Sequence, residues 1–317
     1  MTATLLNVLP VFLLIFIGWL AVRTGLLGDG VGEALGEFVF RIAVPVLLFR
    51  TIAEAEFHGQ SPFRLWIAYF GGVAVTWAAG HLLATRLFRR DLRIGVLAGV
   101  SSAFANNVFI GLPLVGRMVG DDGIVALSIL LAVHLPVMMI AGTLLMERAE
   151  RRETGVDRGG VISVLGQVGR NLLHNPLVIG LAAGAVFHLG GVAMPATMKT
   201  VVDQIAATAG PAALISLGMA LKKYGVSGNL GLSASISVLK LVLLPASVYA
   251  ASRLVGLTPE WTAAMVLTSA VPTGINAWLI ANRFGVGHSL AASTITMTTA
   301  AGVLTVTLWS LLLGGAQ

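Results

Sequence analysis

The sequence predicts an all-α polytopic membrane protein: ten transmembrane helices arranged as two inverted five-helix repeats, with helices four and nine broken. Three observations predict it. Of 317 residues, 56% are hydrophobic and only 11% are charged, whereas a soluble domain carries about 25% charged residues. Ten apolar runs approach the roughly 20 residues that a spanning helix needs. Scarce prolines recur at a fixed offset between the two halves of the chain.

The runs lie near Thr4–Val22, Ala34–Ala53, Phe63–Thr85, Ile94–Met118, Ile124–Met146, Pro176–Val192, Gln204–Leu221, Leu230–Ser252, Trp261–Asn282 and His288–Leu313. The first lacks a basic leader and an A-x-A-like cleavage site, so it reads as a span and not as a signal peptide. Basic residues then orient the chain. One set of connections holds Arg23, Arg86, Arg89, Arg90, Arg93, Arg148, Arg151, Arg152, Arg158, Arg170, Lys222, Lys223 and Arg283. The opposite face has only Arg50, Arg64, Arg117, Lys199 and Arg253. The richer side is expected in the cytoplasm, which places both termini outside a multi-pass protein of the cell (inner) membrane. The net charge of +6 reflects these basic loops, so no nucleic-acid partner is expected. The longest connection mixes signs (Glu147, Glu150, Glu153, Asp157) and reads as a solvated linker.

Residues 1–146 therefore form the first five-helix repeat, residues 147–174 a cytoplasmic linker, and residues 175–317 the second repeat. A shift of 166 carries Pro10 onto Pro176, Pro45 onto Pro211 and Gly18 onto Gly184. At a shift of 167, Ser102–Ala103 meets Ser269–Ala270. Because each half has an odd number of spans, the second must enter from the opposite face, an arrangement recurrent in secondary transporters.

Spans four and nine carry the chemistry. The fourth contains ANNVFIGLP, residues 105–113, and the ninth SAVPTGINAW, residues 269–278. Unpaired amides and a proline's missing N–H are costly in lipid, so such breaks persist where they are buried in protein or line a cavity. Proline favours the first turn of a helix, so Pro113 is expected to start the second half of span four. Pro272 with Gly274 frees the backbone before the second half of span nine. Each half-helix N-terminus carries roughly half a positive charge. Two such ends meeting amid Asn106, Asn107, Thr273 and Asn276 would bind an anion without a formal charge. Gly111 falls within the same segment.

The segments FANNVFIGLPLVGRMVG and VPTGINAWLIANRFGVG resemble the crossover segments of the auxin efflux carrier family, which includes plant PIN proteins and bacterial malate and malonate permeases. The resemblance extends over the whole chain. It implies a homodimer, a scaffold of about 1–60 plus 175–224, and a moving transport domain of about 61–146 plus 225–317. It also implies an anionic substrate at the crossing of spans four and nine, with elevator-like motion. By motif position, Asn106 and Pro113 match the family's asparagine and proline of span four, and Pro272 and Gly274 those of span nine. The long hydrophilic loop of the plant members is absent, which points to a small carboxylate rather than a plant hormone.

Three more residues are candidate charge or proton partners. Arg41, in span two, either snorkels or forms a structural pair, or balances a carboxylate. Lys240, midway along span eight, either partners the transport site or holds backbone carbonyls at a break. His134, before Pro136, either relays protons or is a hydrogen-bonded core histidine. With zero Cys and no HExxH or Walker sequence, no enzyme, cofactor or metal site is expected. The expected function is secondary transport of a small organic anion such as malate or malonate. The alternative is a proton- or sodium-coupled symporter or antiporter of similar fold with another substrate.

Overall fold

The computed structural model describes residues 2–56, 59–155, 166, 169–191 and 193–314. Arg158 and Asp157 of the expected linker lie outside the described residues. The helices are α1 (Thr2–Arg23), α2 (Asp29–Phe38), α3 (Val44–Ala53), α4 (Pro62–Leu82), α5 (Leu92–Ala103), α6 (Leu112–Met118) and α7 (Asp121–Thr154). Then follow α8 (Pro176–Leu189), α9 (Ala196–Leu221), α10 (Leu230–Val238), α11 (Leu244–Val255), α12 (Pro259–Ala270), α13 (Asn276–Phe284) and α14 (His288–Gly314).

Among the described residues, six segments are single helices long and apolar enough to cross a membrane: Leu6–Arg23, Pro62–Leu87, Asp121–Thr154, Ala196–Leu221, Leu230–Val255 and His288–Gly314. The other four expected spans fall short for visible reasons. Spans four and nine are split into α5 with Asn107–Met118 and α12 with α13. The sixth is α8, of 14 residues. The second is helical from Asp29 to Ala53 but carries Glu33, Glu37, Arg41 and Arg50.

Proline explains most of the departures from regular helix. Widened π-helical turns cover Val39–Ala43, Asn107–Gly111 and Leu239–Leu243, and each lies just before a proline: Pro45, Pro113 and Pro245. A proline ring clashes with the carbonyl four residues back and offers it no N–H, and a wider turn relieves that clash. The carbonyl that Pro245 leaves unpaired belongs to Leu241, and it accepts a hydrogen bond from Trp309 Nε1 at 3.0 Å. Elsewhere side chains cap the helices. Asp91 accepts from Ile94 N at 2.8 Å to start α5, and Asn175 from Leu177 N at 2.9 Å to start α8.

Pro113 stands in the first turn of α6, as expected, but a widened turn from Asn107, capped by Asn106, precedes it and carries the helix start back. The amide cap supplies that earlier start. α7 continues to Thr154 and ends on Gly155 at φ 73°. Its last turns are held by Arg93, whose guanidinium lies 3.1 Å from Glu153 and 4.0 Å from Glu150.

The helices pack by close backbone approach at glycine, as membrane helices do without a solvent-driven force between them. α1 lies on α9: a Cβ on Gly18 would fall 2.1 Å from the Ile215 carbonyl oxygen, and one on Gly218 would fall 1.9 Å from that of Ile15. α3 lies on α8 in the same way, with Gly180 against the Pro45 carbonyl and Gly184 against that of Phe49. The shift of 166 carries Gly18 onto Gly184 and Phe49 onto Ile215, so these two contacts correspond. Gly218→Ala should therefore force α1 and α9 apart and lower stability by about 1–3 kcal/mol, read as a lower Tm in detergent. An unchanged Tm would show that the contact is not tight.

Candidate functional site

α5 ends at Ala103 and α12 at Ala270, and the extended stretches beyond them meet. Asn106 N donates to the Pro272 carbonyl at 3.0 Å and Gly274 N to the Phe104 carbonyl at 2.8 Å, with Ala105 and Thr273 bridged antiparallel between them. Gly274 fits this approach because a Cβ there would lie 3.1 Å from the Ala105 carbonyl oxygen. Each break is then followed by a helix N-terminus, at Asn107 and at Asn276.

The carbonyl ends that enter the breaks are occupied by donors from neighbouring chain. Lys240, wholly buried, places Nζ 2.6 Å from both the Ser269 and the Val271 carbonyl oxygens. Of its two expected roles, the one seen is to hold backbone at a break. Thr273 Oγ1 donates to the Ser101 carbonyl at 2.8 Å, and Thr273 N donates to Thr298 Oγ1 at 3.1 Å. At the amino ends, Asn107 N and Ala277 N pair with the Ala105 and Gly274 carbonyls and Phe109 N with Asn106 Oδ1, and residues of both ends line open space. A cavity of about 280 Å³ is lined by Phe104 to Phe109 on one side of the pairing and by Ile275, Asn276 and Leu279 on the other. A second cavity, of about 320 Å³, shares Asn106, Phe109, Ile275 and Leu279 with it. Among those four shared residues only Asn106 is polar. A third chamber of about 290 Å³ continues from the first past Asn175 and Asn276 to Thr143 and Arg283.

The expected site residues thus divide. Asn106, Asn107 and Asn276 line the cavity, while Pro272, Thr273 and Gly274 build the pairing behind it. Gly111 meets only ordinary contacts, and Pro113 lies apart, against Gly210 beside a small void of about 130 Å³. His134 is buried and lines the cavity, ringed by Tyr69, Phe70 and Phe104. Its Nε2 is buried without a hydrogen-bond partner. Arg41 is exposed and pairs with Glu37 at 3.0 Å, one turn away.

Comparison with known proteins decides the family. A family model described as "Membrane transport protein" matches residues 3–310. The chain belongs to the auxin efflux carrier family. Among curated members of this family, a protein named "Putative malonate transporter" from Rhizobium meliloti is 27% identical over 304 residues, covering 95% of this chain and 92% of that one. An "Uncharacterized transporter" of Methanothermobacter thermautotrophicus is 24% identical, covering 97% of each chain. One from Methanocaldococcus jannaschii is 22% identical, covering 96% of this chain and 97% of its own. The chain is thus a membrane transporter, and its apolar helices make it a multi-pass one.

Within this carrier, several cavity residues were not read from sequence. Phe40, Leu135 and Leu279 look like ordinary core positions, and only the fold brings them to the breaks. Tyr69 carried a usable signal, a phenol in the middle of an apolar run. Its hydroxyl accepts from Asn107 Nδ2 at 3.3 Å.

Proposed function

We propose that the protein is a secondary transporter that carries a small organic anion, a mono- or dicarboxylate such as malonate or malate, by alternating access. The observation that carries this reading is the asymmetry of the paired breaks. Their carbonyl ends are held by Lys240 and Thr273, whereas residues of both helix N-termini, among them Asn106, Asn107 and Asn276, line the cavity. Unpaired N–H groups and the helix dipole favour a carboxylate at such ends. The malonate description of the Rhizobium relative points to the same substrate class.

In this reading the chain makes ten crossings as two inverted repeats, an arrangement that the corresponding Gly18–Ile215 and Gly184–Phe49 contacts support. Residues of about 1–60 and 175–224 act as scaffold in a homodimer, and about 61–146 and 225–317 move against them. Both termini lie outside the cell (inner) membrane. The 320 Å³ cavity reaches Glu33 and Lys223, and the 290 Å³ chamber reaches Arg283. These lie on the basic, cytoplasmic side, so this conformation faces inward.

The purified protein in proteoliposomes should take up radiolabelled malonate or malate above protein-free vesicles. Uptake unchanged when sodium and proton gradients are removed would separate this carrier from the ion-coupled alternative. If neither acid is taken up nor raises the Tm of the protein, the reading fails, because a ligand that binds only the folded state must stabilise it.

A further inference from the structure

The 280 Å³ cavity has a second polar corner that binding one carboxylate leaves unused. The Asn107 amide and His134 from α7 line it there, with Phe70 and Phe104 packed around the imidazole and Tyr69 from α4 behind them, outside the lining. All three polar residues are at least nine-tenths buried: Tyr69 is 0%, His134 2% and Asn107 3% exposed. Asn107 commits one end of its amide to the Tyr69 hydroxyl, yet its Oδ1 has no partner, and neither has His134 Nε2. Buried polar atoms without partners carry a standing cost and call for an explanation. Asn107 and His134 also line the same cavity. A small rotation of the amide, or of the imidazole about its Cβ–Cγ bond, turns these atoms toward a ligand held at the helix ends.

The corner consists of an amide, a phenol and an imidazole. Lys240 is committed to the Ser269 and Val271 carbonyls. An amide oxygen accepts only, a phenol donates and accepts, and an imidazole offers one of each. A group that both donates and accepts, without a charge of its own, satisfies that set. A methyl group in its place leaves the buried atoms unpaired.

We propose that Asn107 and His134, with Tyr69 holding the Asn107 amide from behind, form a second anchor that reads one uncharged O–H group. The preferred cargo is then a small carboxylate monoanion that also bears a hydroxyl, or a second carboxyl in its protonated form. This rests on the carboxylate reading of the helix ends and narrows it to a substrate class. The residues act as specificity determinants, because a site built to pair an O–H rejects the analogue without one far more strongly than an apolar pocket rejects an added group.

Lactate and propionate differ by one hydroxyl and test this in proteoliposomes of the full chain. Lactate uptake should exceed propionate uptake by about tenfold or more in kcat/KM. His134→Phe and Tyr69→Phe should each bring that ratio toward one, and His134→Gln, which keeps hydrogen-bonding atoms, should retain part of it. A ratio does not depend on how much variant protein folds. Equal handling of the two acids by the unaltered protein, or a ratio that survives both phenylalanine variants, would overturn the second anchor while leaving carboxylate transport intact. If lactate, propionate and malonate all fail to enter, the carboxylate reading falls and this inference falls with it.

Discussion

Asn106→Ala should cut uptake of the proposed anion about 10- to 100-fold while costing the fold only about 1 kcal/mol. The two figures come from different bonds. In the fold, the Asn106 side chain makes one hydrogen bond, accepting from Phe109 N at 3.3 Å as the cap of its helix, and removing a cap of this kind costs about 1 kcal/mol. The pairing with Pro272 uses the Asn106 backbone N and survives the substitution. In transport, Asn106 is the polar side chain common to the 280 and 320 Å³ cavities. A hydrogen bond to a charged ligand is worth about 1.5–3 kcal/mol, which gives the expected loss. Asn106→Asp separates the two roles. A carboxylate caps the helix as well as an amide does, so Tm should hold near that of the unaltered protein. Its negative charge opposes an anion at the helix ends, so uptake should fall at least as far as with alanine. Undiminished anion uptake by Asn106→Asp would remove the electrostatic basis of the site.

The sequence made the breaks themselves legible, since Asn, Gly and Pro in an apolar run are local signals of interrupted backbone. Their pairing through Ala105 and Thr273 was a matter of inference, because no local pattern says which distant backbone will supply a partner. The same limit applies to Lys240. Its depth was plain from its place in span eight, but whether it reached a substrate or a carbonyl depended on α12 folding beside it. Pro113 located the first turn of α6 but not the widened turn before it. Proline at the start of a helix is a statistical preference, and here the asparagine cap at Asn106 and the widened turn that relieves the proline ring place the start earlier. His134 was read by residue type alone, and a histidine in a core is usually paired; its unpartnered Nε2 emerged only from the aromatic rings that enclose it. Glycine repetition was the most informative long-range signal, because the offset that superposes Gly18 on Gly184 also relates the backbone atoms that those glycines touch.

Lys240→Met should destabilise the protein by about 2–4 kcal/mol and suppress uptake with it. Methionine nearly matches the lysine stem in length and fits the apolar surroundings, so the substitution removes the ammonium without opening a large void. What remains is the end of α12, where the Ser269 and Val271 carbonyls lose the donor that sits 2.6 Å from each. Pro272 follows directly and has no N–H to offer, and water is excluded from a position where Lys240 itself is 0% exposed. Each buried carbonyl left unpaired costs about 1–3 kcal/mol, and relief from burying an ammonium offsets part of the sum. The loss should also reach function, because Val271 is the residue before Pro272, whose carbonyl accepts from Asn106 N. If the extended stretch shifts to find other donors, the pairing that presents both helix ends to the cavity loosens. Lys240→Met should therefore lower Tm and uptake together, unlike Asn106→Asp, which lowers uptake alone. A Lys240→Met protein with the original Tm and the original uptake would mean that the paired breaks do not depend on this ammonium, and some other donor would have to hold the α12 carbonyls.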